Sequence, residues 1–140
     1  VKYLSVILIF CPFLVLADAR YGYDMISFYQ LPDVDNQKEI AMKGYLLKDE
    51  GLFYFCSDMD SCYSRGKNRL QLIINDKDQE YFNDINHCHV ALVGKFRGLE
   101  ESQTHWPFMG YFEVLRISGF DFSPDYHLIN KNCIAYNIRE

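Results

Sequence analysis

Apolar and polar positions change rhythm several times along this chain. An apolar run from Tyr3 to Leu16 comes first. In "YDMISFYQL" (23–31), Met25, Phe28 and Tyr29 fall at i, i+3 and i+4, which predicts a short helix that Pro32 stops. "PDVDNQK" reads as a turn. From Glu39 the period is two. In "EIAMKGYLLKD", Ile40, Met42, Gly44 and Leu46 share one face, and Lys43, Tyr45 and Leu47 share the other. "GLFYFC" (51–56) follows an Asp-Glu-Gly turn and completes a hairpin, and "RLQLIIN" (69–75) places Leu70, Leu72 and Ile74 on one face. "DKDQEYFNDIN" (76–86) breaks the alternation. There Asp76 or Asp78 can cap a short helix whose apolar side is Tyr81, Phe82 and Ile85.

Period two returns in "NHCHVALVGKFRG" (86–98), with Cys88, Val90, Leu92, Gly94 and Phe96 on one side and His87, His89, Ala91, Val93, Lys95 and Arg97 on the other. "GYFEVLRISGF" (110–120) is a fifth strand, although Phe112, Val114, Leu115 and Ile117 slip register once, as a bulge would make them do. Three strands, a short helix and two more strands predict an all-β protein with short helices. The expected form is a five-stranded OB-like Greek-key barrel over about 39–118, with the helix between strands three and four. An open β-sandwich is the alternative, and the position of the helix favours the barrel. Gly44 and Gly94 sit at equivalent places in their strands, where glycine allows the bend that a small barrel needs.

Residues 1–19 have the layout of a signal peptide. Lys2 precedes the apolar run, Ala17-Asp18-Ala19 offers a cleavage site, and the run is short of the ~20 residues that a spanning helix requires. Cys11 lies mid-run behind Phe10, with no small residue beside it, which argues against a lipid anchor. Val1 in place of Met points to a valine-type start codon and a bacterial gene. The expected location is therefore periplasmic or secreted, in or beyond a bacterial envelope. Residues 20–140 then form a single domain that does not span the membrane and that ends in a tail, 121–140. Four cysteines remain beyond the leader, an even number suited to two disulfides with three possible connectivities. "CSDMDSC" can close a local loop, which favours Cys56–Cys62 and, by elimination, Cys88–Cys133. A net charge of −5 makes a polyanion a poor partner.

"IAMKGYL" (40–46), "LFYFC", "HVALVGKFRG" (89–98) and "GYFEVLRIS" (110–118) together resemble a group of small exported bacterial OB-fold proteins, mostly uncharacterised. The resemblance covers about residues 24–118. Its motifs are structural, so it implies a fold and a compartment and carries over no catalytic residue. The cysteine pairs and the tail after Asp121 depart from the group's pattern.

Few residues offer chemistry. His87 and His89 would project from one face of a strand about 7 Å apart, a spacing two ligands of one ion tolerate, with His105, His127 or an acid as a third. The competing reading makes them ordinary strand-face residues with Cys88 turned inward, and it is favoured because zinc signatures show ligands in two close-spaced clusters. "DVDNQ" (33–37) and "DMDSC" (58–62) lack the Gly and Glu of an EF-hand and read as solvated turns. Phe53, Tyr54 and Phe55 with Arg65, Lys67 and Arg69 could form a nucleic-acid patch, but the acidic total opposes it. No G-x-S-x-G, P-loop or C-x-x-C is present, so no catalytic residue and no cofactor is expected. In "LEESQTHWPFM" (99–109), Trp106 and Phe108 are candidate interface anchors, or else Trp106 plugs one end of the barrel. The function expected is a non-catalytic exported binding module for a protein or small ligand. The alternatives are a periplasmic inhibitor or immunity protein against a secreted toxin, and a metal-handling protein.

Overall fold

Alternation and turn chemistry divide the middle of the chain into five strands, and a computed structural model of the protein, describing Tyr23, 25–120 and 130–133, shows how they pair. The strands are β1 (Glu39–Asp49), β2 (Leu52–Cys56), β3 (Arg69–Ile73), β4 (His89–Gly98) and β5 (Gly110–Phe120). They form one sheet closed into a ring in the order β1-β2-β3-β5-β4, with β4 returning to β1. All neighbours are antiparallel except β3 and β5, which run parallel. Two short helices join strands: α1 (Met59–Tyr63) after β2, and α2 (Gln79–Asp84) between β3 and β4. The predicted leader 1–19 and all of the predicted tail except 130–133 lie outside the described residues.

The inward face is the one the period predicts. Ile40, Met42 and Leu46 of β1 meet Phe55, Leu70, Val90, Leu92 and Phe112 in one cluster, all fully buried. Two glycines let this core close. A Cβ on Gly44 would collide with the Cys56 carbonyl and lie 2.9 Å from the Phe55 ring, and one on Gly94 would collide with the Glu113 carbonyl and the Phe112 ring. Phe55 and Phe112 stack on each other at 6.3 Å between centroids. A second, smaller cluster lies on the outer side, where Tyr45 and Leu47 are covered by Cys56 and Cys62.

Both disulfides join the cysteines that spacing favours. Cys56–Cys62 pins α1 to the end of β2, and Cys88–Cys133 ties the 130–133 segment to the entry of β4. That segment is also stitched to the end of α2, where the Asn130 side-chain amide donates to the Asp84 and Asn86 carbonyls at 2.8 and 2.6 Å.

Several local expectations are corrected. The helix foreseen over 23–31 is instead a 3-10 turn, Phe28–Asp33, that runs through Pro32, whose fixed φ suits 3-10 geometry. "DMDSC" is not a bare turn: Asp58 accepts from Ser61 N at 2.7 Å and caps α1. Neither Asp76 nor Asp78 caps by its side chain; the chain enters α2 through a 3-10 turn, Asp76–Asp78. β3 ends at Ile73, so Ile74 lies just beyond it. The single slip foreseen in β5 is two, because Leu115 and Ser118 are each left without a partner opposite β4. His87 lies outside β4, with φ +70.

Replacing both Cys88 and Cys133 by Ser should cost about 4 kcal/mol on the chain-entropy account, against about 2 for the Cys56/Cys62 pair, whose loop is shorter. Urea unfolding of the two double variants checks that order. Gly94→Ala should cost at least ~2 kcal/mol, because backbone as well as a ring must give way.

Candidate functional site

The hydrogen-bond register places one residue from each strand in a single transverse row on the outside of the ring. Leu47 faces Tyr54, Tyr54 faces Gln71, Gln71 faces Tyr111, and Tyr111 faces Arg97. Residues directly opposite share a sheet face, so this row is continuous across all five strands. Phe53 and Phe55, on either side of Tyr54, point into the core. Arg97, exposed, sets its guanidinium 4.7 Å from the centre of the Tyr111 ring, a cation–π contact.

The β4–β5 connection folds back over this row. Phe108 is 7% exposed and wedged between Tyr54 and Tyr111, at 6.3 and 5.5 Å between ring centres. It therefore fastens the loop and is not presented to solvent. Trp106 stays half-buried, against Phe108 at 5.5 Å and Tyr111 at 6.5 Å. It lies on the outer face and closes no end of the core. Arg69 is the clamp. Its Nε donates to the Pro107 carbonyl at 2.8 Å, its guanidinium lies 4.3 Å over Tyr54, and its own carbonyl accepts from Met109 N at 2.8 Å. The side chain is 3% exposed, and its Nη1 has no hydrogen-bond partner. Burying that donor costs free energy, which the stacking and the Pro107 bond offset.

The basic patch foreseen around Arg65, Lys67 and Arg69 is not assembled. Arg65 turns away to Asp49 and Glu50, at 3.1 and 2.9 Å, and Arg69 is covered by the loop.

His87 belongs to a different group. Its Nδ1 lies 3.0 Å from both the buried Tyr45 hydroxyl and the exposed Tyr63 hydroxyl, and its ring stacks on Tyr63 at 6.2 Å. With the proton on Nε2, Nδ1 accepts from a phenol O–H. The left-handed backbone that aims the ring is fixed by two bonds to β1, His87 N to the Leu46 carbonyl and Leu46 N to the Cys88 carbonyl, both 2.9 Å. Burial pushes the His87 pKa below its ordinary 6.5. His89 stands on β4 opposite Tyr45, so the two histidines do not project side by side from one strand. Among the described residues no group of three or more His, Cys, Asp or Glu is placed to hold a metal ion. His105 sits beside Trp106 in the loop, and His127 lies outside the described residues.

Alternation along each strand points Arg97 and Tyr111 outward, but only register shows that they adjoin each other and Tyr54. The Tyr45–His87–Tyr63 contact has no sequence signal, because its members are 42 and 24 residues apart. Compared with models of known protein families and with curated proteins, the chain matches none.

A lowered His87 pKa favours the neutral ring in the fold. Its contribution to stability is complete above about pH 6.5 and is lost as pH falls through the lowered folded value. His87→Asn, which tolerates the left-handed backbone, should therefore flatten the decline of Tm between about pH 6.5 and 5. Thermal melts across that range check it, and an unchanged acid limb would count against it.

Proposed function

We propose that this protein is a non-catalytic binding module of OB-like form, exported to an oxidising compartment, that captures a protein partner on the outer face crossed by Tyr54, Tyr111 and Arg97 and rimmed by Trp106. The ring order β1-β2-β3-β5-β4 with a parallel β3–β5 pair supports a Greek-key barrel of that kind. Two disulfides are compatible with export, as is the fact that no helix among the described residues is long and apolar enough to cross a membrane.

One observation carries the reading. An aromatic loop is clamped onto an aromatic and arginine row, and its tryptophan is left half out. Tryptophan, tyrosine and arginine on a rigid support are the residue types that dominate binding energy at protein interfaces. A pre-ordered loop also loses little conformational entropy when a partner arrives. An inhibitor or immunity protein acting on a secreted toxin would use the same face.

Trp106 is the only tryptophan, so its fluorescence reports directly on the face. Trp106→Ala and Arg97→Ala should each weaken capture of a partner from an envelope extract by about tenfold or more, with Tm within a few degrees of wild type. Adding the captured partner should shift Trp106 emission to the blue. A large fall in Tm for Trp106→Ala would instead make Trp106 part of the fold's support.

A further inference from the structure

A recess lies on another wall of the ring, between α2 with its entering 3-10 turn and the middle of β5. Its volume is about 340 Å³, at the small end of the range for ligand sites. Phe82 and Val114, both buried, form the floor, and Ile74, Ile117 and the ring of Tyr81 form the walls. Exposed Lys77 and Arg116 stand at the rim.

Two features separate this recess from an ordinary crease between helix and sheet. First, the consecutive residues Val114, Leu115, Arg116 and Ile117 all border it, at the place where β5 slips register against β4. Leu115 and Ser118, each without a partner opposite β4, make β5 irregular beside the recess, and Leu115 is left 45% exposed there. Second, the rim cations lack anionic partners among the described residues. Among the described residues no carboxylate pairs with Lys77 or Arg116, and Arg116 rests only over the Tyr23 ring at 5.5 Å. Among the described residues Asp78 is the one acid that lines the recess, so their ionised side chains sum to a positive charge. This occurs on a chain whose net charge is −5.

The geometry points to a binding site for an amphipathic carboxylate, a medium-chain fatty acid. The alkyl chain lies against Phe82, Val114, Leu115 and Ile117, and the carboxylate lies between Lys77 and Arg116. Apolar walls alone would accept any alkyl chain. The unpaired cations at the mouth select the anionic head, and Asp78 limits the site to one such charge. The site shares no residue with the Trp106 face and does not depend on it.

Decanoate and decanol, titrated below the concentration at which decanoate forms micelles, provide the test, with the methyl signals of Leu115, Ile117 and Val114 followed by NMR. Decanoate should bind saturably with Kd below about 1 mM and move those methyls, and decanol should bind at least about fivefold more weakly. Lys77→Gln and Arg116→Gln should each weaken decanoate about three- to tenfold and leave decanol unchanged, as expected for exposed charge contacts. Both side chains are exposed, so neither change threatens the fold. Trp106→Ala should leave decanoate affinity as it is. Non-saturable binding, equal affinity for the alcohol, indifference to both charge changes, or methyl shifts confined to the Trp106 loop would each overturn the assignment.

Discussion

Closure of the ring depends on a band through its centre in which two phenylalanine rings lie on two glycines. Phe55 packs on Gly44, Phe112 packs on Gly94, and the two rings stack on each other with no exposure to solvent. Gly44 and Gly94 belong to β1 and β4, the pair that seals the sheet, while Phe55 and Phe112 belong to β2 and β5. A five-stranded sheet curled this tightly has room for two large rings only where the opposite backbone carries no side chain. The rings then fill the space that would otherwise be a cavity, so glycine and phenylalanine positions constrain each other. With the edges of the sheet joined, every strand has a neighbour on both sides over part of its length.

That interior leaves the outside of the sheet free to differentiate. One wall carries α1, held by Cys56–Cys62 over Tyr45 and Leu47, and it ends at His87, whose ring is fixed between two phenols. Another carries the aromatic row, its loop held down by Arg69. A third carries the recess between α2 and β5, where β5 slips register and leaves Leu115 exposed. Each wall is stiffened from within or by a covalent link: Cys88–Cys133 anchors 130–133 beside the turn that positions His87, and the Phe55–Phe112 stack supports the strands that bear Tyr54 and Tyr111. Surface features suited to recognition thus rest on a support that does not need to rearrange.

Arg69 shows how the two layers interact. It begins β3 with its side chain outward, where the strand's alternation places it and where a charged residue ordinarily meets water. The loop over it converts a surface arginine into a buried one that spends one donor on Pro107 and its π face on Tyr54. Electrostatic attraction to an aromatic face survives burial better than a solvated ion pair would, which is why arginine and not lysine suits this position.

How much of this was legible before folding follows from the range of each interaction. Strand boundaries, the inward set Ile40, Met42, Leu46, Val90, Leu92 and Phe112, the glycine positions and the short helix after β3 are all local matters, set by side-chain period and backbone permissiveness over a few residues. The disulfide pairs were legible for a related reason, since one loop closes locally and only two cysteines then remain. What the chain alone could not disclose are contacts whose members are distant in sequence or whose position hinges on a single residue of register. Leu115 and Ser118 each shift β5 by one place, and one place turns a side chain from core to solvent. His87 left its expected strand face because the carbonyls and amides of Leu46 and Cys88 claimed the backbone around it. The row Leu47–Tyr54–Gln71–Tyr111–Arg97 exists only because five separate strands come into alignment. Short-range periodicity therefore determined which residues face inward. Long-range pairing decided which outward residues meet, because a hydrogen-bonded register carries information that no single strand contains.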